Sequence, residues 1–299
     1  MAAPTAIYEQ LTILLTLAAV SHLFSKRFHQ STLIGEIILG ILIGQSLMGS
    51  PSLGIFQFDP TFIATFAGLG AIFLLFLIGL ESDFREIYTR KNFLVALGGV
   101  LFPLAFGFLT AWFLAPIGST TVGANGTPFL MALFVGATLT ATSTAIAAAI
   151  LLDLGLMSDS IGRTIIGAAV VDDILGLLIL SLVVGVTHGS IDALGIVLLA
   201  TKAVGFIAVG ILVGIYFFSP VVVRLQVAGL KMGIKHGGFI IALAIAFFYS
   251  LIAESIGLSA IIGAFLAGTM FAPASLKEEF AEGARYLEAI FTPIFFISL

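Results

Sequence analysis

The 299-residue chain is 60% hydrophobic and 9% charged, and its mean hydropathy is +1.22. These values lie far outside the range of soluble globular domains, so the sequence predicts an integral membrane protein in a lipid bilayer. The chain has no cysteine, which excludes disulfides and cysteine-ligated metal centres. The net charge of -4 is small and unclustered, so we expect no nucleic-acid partner.

Ten apolar windows of membrane-spanning length follow one another along the chain. Their continuous apolar composition, with Gly and Pro inside, favours helices over the strands of a membrane barrel. The windows cover residues 6–24, 33–49, 62–80, 93–115, 128–152, 162–187, 191–218, 238–253, 257–272 and 287–299. We therefore predict an all-α polytopic membrane protein.

The basic residues predict how these helices are oriented. All Lys and Arg residues except Lys202 follow the first, third, fifth, seventh and ninth windows, and the opposite loops have none. Because positively charged loops stay cytoplasmic, the N-terminus is predicted to lie outside. The first window is preceded by no Lys or Arg, so we expect a retained helix rather than a signal peptide.

Two segments near the start of the chain recur near its end. "STLIGEIILGILIGQ" (31–45) is similar to "LSAIIGAFLAGTMFA" (258–272), and "GAIFLLFLIGLESD" (70–83) is similar to "FTPIFFISL" (291–299). The copies are seven windows apart, so they cross the membrane in opposite directions, which is typical of an inverted repeat. If the first six windows are matched by the eighth to the thirteenth, about ten of thirteen expected helices are present and the chain stops inside the tenth.

Two adjacent carboxylates interrupt the sixth window, in "VVDDILG" (170–176). At 1.5 Å per residue, Asp172 and Asp173 lie ~15 Å into a ~30 Å hydrocarbon core. A charge is costly at that depth, so a functional role is the expected interpretation. Neighbouring helical positions point ~100° apart, so one carboxylate can face a cavity and the other a packing partner. Such a pair can hold a cation or a proton, but poorly both, which suits antiport.

The fifth window supplies hydroxyl groups at a similar depth, in "GATLTATSTAIAAAIL" (136–151). Thr140, Thr142, Ser143 and Thr144 can accompany a broken helix, whose freed carbonyls are oxygen ligands for a monovalent cation. The alternative is that these hydroxyls only join closely packed helices. We predict ion or proton binding by the two aspartates with Thr140, Thr142 and Ser143, and an accessory role for Thr144.

Three charged residues are further accessory candidates. Glu36 lies one turn into the second window and is expected to reach the interface or anchor a loop, with an entry-funnel role as the alternative. Arg163 begins the sixth window and is expected to anchor there, with screening of the ion path as the alternative. Lys202, inside the seventh window, is expected to be structural.

Five segments together resemble the cation:proton antiporter-2 family of Na⁺/H⁺ and K⁺/H⁺ exchangers. They are "LFLIGLESDF" (75–84), "TATST" (140–144), "VVDDILG" (170–176), "GLSAIIGAFLAG" (257–268) and "PIFFISL" (293–299). The resemblance implies a thirteen-helix inverted-repeat antiporter fold. It also implies that Asp173 alternately binds a monovalent cation and a proton, that Asp172 is the accessory acid, and that no cofactor takes part.

The resemblance further implies a division of the chain. Residues 1–80 would belong to a dimerisation domain, 81–187 to a core domain with the ion site, 188–237 to a linker helix and cytoplasmic loop, and 238–299 again to the dimerisation domain. A homodimer in a prokaryotic inner membrane is expected, and a cytoplasmic regulatory domain can follow this chain.

Other classes of function fit the sequence less well. A sodium-coupled organic-anion symporter of related fold would be complete after ten helices, and a cation channel would not couple its flux to pH. An intramembrane aspartyl protease needs acids on two different helices. No nucleotide-binding loop or catalytic triad is present, so we predict a protein that is not an enzyme.

Overall fold

The computed structural model describes residues 4–28, 31–44, 58–82, 87, 89–114, 128–157, 159–187, 193–231, 237–275 and 277–299. All regular secondary structure in these ranges is helical. The helices are α1 (Pro4–Phe28), α2 (Thr32–Ile43), α3 (Pro60–Glu81), α4 (Arg90–Leu114), α5 (Pro128–Thr140), α6 (Thr144–Asp153), α7 (Ser160–Thr187), α8 (Ala193–Val213), a π segment (Gly214–Phe218), α9 (Ser219–Lys231), α10 (Gly237–Ser255), α11 (Ala260–Phe271) and α12 (Lys277–Ser298).

Six helices or helix pairs in the described ranges are long and apolar enough to cross a membrane. They are Ile7–Ser25, Pro60–Glu81, Arg90–Leu114, Pro128–Asp153, Val197–Gly229 and Gly237–Ser255. Helices α2 and α11 are apolar but have only 12 residues each. The predicted all-α polytopic architecture is confirmed.

Two predicted helix boundaries are wrong. The tenth window predicts a helix over 287–299, yet α12 begins at Lys277. The first half of α12 is polar, so the hydropathy pattern does not detect it. The helical segment of the seventh window continues past residue 218 through the π segment and α9 to Lys231. Residues 45–49 of the second window lie outside the described residues.

Helix α3 forms the centre of the hydrophobic core. Its first turn is fixed by Asp59, whose side chain accepts hydrogen bonds from the backbone N–H groups of Thr61 at 2.8 Å and Phe62 at 3.5 Å, while Pro60 takes the first helical position. In its second half, Leu74, Phe76 and Leu77 are completely buried. A helix that is apolar and buried on all sides in this way is typical of the middle of a helical membrane protein.

The helices pack in two groups. In the first, which we call the scaffold, α3 packs on α11 and α12, α2 packs on α1 and α12, and α10 packs on α11. In the second, the α4–α7 unit, α4 packs on α5 and α7, and α7 also contacts both α5 and α6. Helices α2 and α3 contact α6, while α8 contacts α7 and α11, so these pairs join the groups. The division into dimerisation and core domains stays a prediction.

The two copies of the repeat begin in the same way. Ser31 is the N-cap of α2, with φ -61° and ψ 140°, and Ser259 is the N-cap of α11, with φ -68° and ψ 138°. Each serine is followed by a 12-residue helix. The matching caps and lengths align residues 31–43 with 259–271.

Glycines at equivalent positions of the repeat make equivalent contacts. A Cβ atom at Gly35 of α2 would collide with the Ser21 hydroxyl on α1, and one at Gly263 of α11 would collide with the backbone of α10. Five residues further on, Gly40 lies against the backbone of Ile297 on α12, and Gly268 lies against the backbone of α3. Helix α2 therefore packs against α1 and α12, and α11 packs against α10 and α3, which are the corresponding helices of the repeat. The predicted inverted repeat requires this arrangement.

Candidate ion-binding site

The apolar helix predicted over the fifth window is interrupted in its middle. Helix α5 ends at Thr140, residues 141–143 are not helical, and α6 begins at Thr144. The Ser143 side chain accepts a hydrogen bond from the backbone N–H of Ile146 at 3.3 Å and thereby caps α6. Hydroxyl residues compete with helical hydrogen bonds in this way, so the run from Thr140 to Thr144 favours the predicted break, which is confirmed.

The two aspartates lie on α7 beside this interruption. Thr144 donates a hydrogen bond from Oγ1 to Oδ2 of Asp173 at 3.1 Å. The Thr142 hydroxyl donates to the carbonyl of Thr140 at 3.4 Å, and Thr142 lines the same cavity as Asp172. The two adjacent carboxyl groups therefore have different surroundings, as expected for adjacent helical residues that point apart.

The environment of the two carboxyl groups differs. Asp172 is 7% exposed, and its Oδ1 atom has no hydrogen-bond partner. Asp173 is half-buried and is held by Thr144. A buried carboxyl oxygen without a partner is costly, so the wall of the site contains an unsatisfied acceptor, which is enclosed by the protein in this conformation.

A cavity of about 390 Å³ opens in front of both aspartates. It is lined by Ala137, Thr138, Thr140, Ala141, Thr142, Asp172, Asp173, Gly176, Leu177, Leu180 and Ser259. The lining residues of α7 run from the aspartates toward its C-terminal end. On the other side of the aspartates, Ala145, Ala148 and Val170 are buried in the main hydrophobic core. The cavity thus reaches the site from the C-terminal end of α7.

The predicted threonines and serine have different roles in this geometry. Thr140 and Thr142 line the cavity, although the Thr140 hydroxyl is already bonded to the carbonyl of Ala137 at 2.7 Å. Ser143 is not among the described lining residues and serves as the helix cap. Thr144, predicted as accessory, is the direct partner of Asp173. The hydroxyl residues are therefore divided between the cavity wall and support of the break.

The three charged accessory candidates do not line the cavity. Glu36 is only 3% exposed, so its side chain is enclosed by the protein, and its expected role at the interface or as a loop anchor stays a prediction. Arg163 lies at the N-terminal end of α7, more than two turns before the aspartates. Lys202 is on an exposed side of α8, and its structural role stays a prediction.

Sequence reasoning missed two polar lining residues, Thr138 of α5 and Ser259. Ser259 is the N-cap of α11 and therefore belongs to the scaffold, whereas the other described lining residues come from α5, α7 and the break between α5 and α6. The repeat contained a signal for it, since Ser259 is equivalent to Ser31. Only the packing of α11 near α7 reveals that the serine lies at the ion site.

The described residues thus define a polytopic helical membrane protein with a carboxylate pair and an interrupted, hydroxyl-rich helix facing one cavity. Carboxylate, hydroxyl and backbone carbonyl oxygens are hard ligands that suit small cations, and each carboxylate can instead hold a proton. Such a site belongs to the class of ion-coupled secondary transporters.

Comparison with known proteins agrees with this class. The family described as sodium/hydrogen exchanger, transmembrane, matches residues 12–299, and the chain belongs to this family. The high-affinity Na⁺/H⁺ antiporter NhaS3 of Synechocystis sp. is 33% identical over 91% of the chain and 62% of its own length. A Na⁺/H⁺ antiporter of Enterococcus hirae is 33% identical over 97% of the chain and 71% of its own length.

A third relative is named for both Na⁺ and K⁺. The Na⁺/H⁺-K⁺ antiporter GerN of Bacillus cereus is 29% identical over 98% of the chain and 70% of its own length. The resemblance to the cation:proton antiporter-2 family is confirmed. These relatives are transporters rather than enzymes. The chain spans about two thirds of the length of these three relatives.

Proposed function

We propose that this protein is a secondary active antiporter that exchanges Na⁺ or K⁺ for H⁺. The observation that carries the proposal is the hydrogen bond between Thr144 and Asp173 beside the break of the α5–α6 helix, in a cavity that also contains Asp172. A carboxylate at an interrupted membrane helix brings together the ligands that a dehydrated monovalent cation needs. The names of the relatives support the same exchange.

Competition at Asp173 would couple the two ions. A cation entering the cavity exchanges part of its water shell for the carboxylate of Asp173, the hydroxyl of Thr142 and carbonyl oxygens left free by the break. A proton on Asp173 removes the negative charge and the ligand, so proton and cation cannot occupy the site together. Each must leave before the other binds, and this alternation is the basis of exchange.

Asp172 would act as the accessory acid. Its residue is buried, and its Oδ1 atom has no hydrogen-bond partner. It can therefore accept a proton or orient a bound water without giving up an existing bond. The two acids together allow more than one proton to move per cation.

Alternating access would expose the site first to one side of the membrane and then to the other. The α4–α7 unit would move against the scaffold, as the predicted division into core and dimerisation domains implies. We further propose a homodimer in a prokaryotic inner membrane, with the N-terminus outside. In that orientation the C-terminal end of α7 faces outward, so the cavity seen here is the outward path.

The membership of the exchanger family leaves the symporter and channel alternatives with little support.

The test of antiport uses proteoliposomes of the full-length protein with an imposed proton gradient and a pH-sensitive dye. Na⁺, K⁺ and Li⁺ are added in turn to the parent protein and to Asp173→Asn. Asp59→Asn is the matched control, because asparagine also caps a helix and Asp59 lies away from the cavity.

We expect cation-dependent dequenching in the parent and in Asp59→Asn, and none in Asp173→Asn. The order of responses ranks the ions. A parent protein that shows no cation-dependent proton movement contradicts antiport, and full activity in Asp173→Asn contradicts the role of this carboxylate. Currents that do not depend on the pH gradient would instead favour a channel.

A further inference from the structure

Two serines at equivalent positions of the repeat lie near carboxylates of the α4–α7 unit. Ser31, the N-cap of α2, approaches Asp153 at the C-terminal end of α6. Ser259, the N-cap of α11, lines the cavity that contains Asp172 and Asp173. Because the two copies of the repeat run in opposite directions, the two serines meet opposite ends of the same unit.

The contact of Ser31 is made in this structure. Its Oγ atom donates a hydrogen bond to Oδ2 of Asp153 at 2.6 Å, and Thr32 donates a second, longer one to the same oxygen at 3.4 Å. A hydrogen bond to a carboxylate is stronger than one between neutral groups. The bonds fix the end of α6 on the scaffold, on the side of the aspartate site away from the cavity.

The contact of Ser259 is not made. Its hydroxyl oxygen accepts a long bond, 3.4 Å, from the backbone N–H of Ile261, which leaves its hydrogen free to donate. Across the same cavity, the buried Asp172 has an Oδ1 atom without a partner. Among the described residues, Ser259 of the scaffold and Asp172 of the α4–α7 unit therefore line one cavity without being bonded, the serine with a free donor and the aspartate with an enclosed oxygen that has no partner.

We propose that Ser31 and Ser259 are alternate contacts of the α4–α7 unit, such that Ser31 holds Asp153 when the cavity is open and Ser259 holds Asp172 when it is closed. The inference rests on the proposed alternating access and names the residues that balance its two states. One hydrogen bond is exchanged for another, so the two conformations stay close in free energy. Ser259 is a positioning residue for the ion site in this scheme.

The absence of cysteine from the sequence permits a direct test. Ala141 lies in the break, lines the cavity and is exposed, and its methyl side chain has no atom that binds a cation. Ala141→Cys in the full-length protein is labelled with a membrane-impermeant maleimide from each face of oriented vesicles. The ratio of the two labelling rates reports how often the cavity opens to each side, whether or not ions are exchanged.

Glycine variants remove the serine hydroxyls. Glycine is well tolerated at N-cap positions, so the helices should still begin correctly. Ser31→Gly should shift the labelling ratio roughly three- to tenfold toward the face at the C-terminal end of α6, because it weakens the contact made in the present state. Ser259→Gly should shift the ratio by a similar factor in the opposite direction. Asp59→Gly, an N-cap substitution on α3, should leave the ratio unchanged.

Opposite shifts in the two serine variants support the proposal. Equal ratios in parent and variants, or shifts in the same direction, overturn it. Ion exchange by the same proteoliposomes is measured separately with the pH dye. An exchanging parent with unchanged labelling ratios contradicts the alternate contacts alone, whereas a parent that does not exchange contradicts the proposed function.

Discussion

Thr144 on α6 donates its hydroxyl hydrogen to Asp173 on α7 across 3.1 Å, at the point where the long apolar helix from Pro128 to Asp153 is interrupted. The bond joins the first residue of a half-helix to one carboxylate of the buried pair. It holds Asp173 in one orientation, whereas the Oδ1 atom of the neighbouring Asp172 has no hydrogen-bond partner. The local geometry of the break therefore decides how Asp173 meets the cavity.

Removal of the Thr144 hydroxyl should weaken cation binding. In Thr144→Ala, Asp173 loses its donor and its fixed orientation, and we expect KM for the cation to rise by roughly three- to tenfold, as expected for one lost hydrogen bond. Thr144→Ser keeps the hydroxyl and should stay near the parent value. Concentration dependence of dye dequenching gives KM for each variant.

Thr201→Ala provides the matched control for this series. The Thr201 hydroxyl is bonded to the carbonyl of Val197 in its own helix at 2.7 Å, on an exposed face of α8. Its removal should not change KM. A similar rise in KM for Thr201→Ala would show that loss of any helical threonine disturbs transport.

Replacement of Asp172 should change the charge carried per cycle. Asp172→Asn keeps the shape of the side chain but removes one group that can take up a proton. We expect exchange to continue with fewer protons per cation. The measurement is the dependence of exchange on a membrane potential set by a potassium gradient and valinomycin, with Na⁺ as the transported ion. An unaltered voltage dependence would exclude proton transport by Asp172.

Ser143 should matter for stability more than for ion selectivity. Its hydroxyl caps α6, and loss of an N-cap hydroxyl costs about 0.5–2 kcal/mol. Ser143→Ala should therefore lower the thermal unfolding midpoint in detergent, while Ser143→Asn, which retains a capping oxygen, should not. Both variants should keep the ion ranking of the parent in the dye assay. A changed ranking would indicate that Ser143 contacts the ion.

The crossing of α3 and α11 should not tolerate a side chain at Gly79. A Cβ atom there would lie 2.9 Å from Cα of Gly268 and closer still to the carbonyl oxygen of Phe265, so Gly79→Ala forces the helices apart. Overpacking of this kind costs about 1–3 kcal/mol. Thermal unfolding of the purified protein should show the loss directly.

The control for this crossing lies on the same helix. Nothing lies within 4 Å of a Cβ atom placed at Gly68, so Gly68→Ala meets no neighbour. Alanine also has the higher helix propensity, and a neutral or slightly stabilising effect is expected. Equal destabilisation in both variants would contradict the close approach of α3 and α11.

The sequence by itself determined the all-α polytopic architecture. Apolar windows predict the helices, because the bilayer imposes span length on any chain. Alternating basic loops predict an orientation, which stays a prediction. The aspartate pair and the hydroxyl-rich break stand out for the same reason, since polar groups are expensive at that depth. The repeat is also visible, because close helix contacts need small residues at Gly40 and Gly268.

Tertiary structure alone decided which of these residues meet. Periodicity cannot be carried across the break at residues 141–143, so the sequence does not show that Thr144 bonds Asp173 while Ser143 caps α6. Glu36 is buried because α2 packs between α1 and α12. Ser259 reaches the ion cavity because α11 begins beside α7, although the serine follows Asp173 by 86 residues along the chain. Contacts between distant segments depend on how helices pack, and helix packing is set by the whole fold rather than by local sequence.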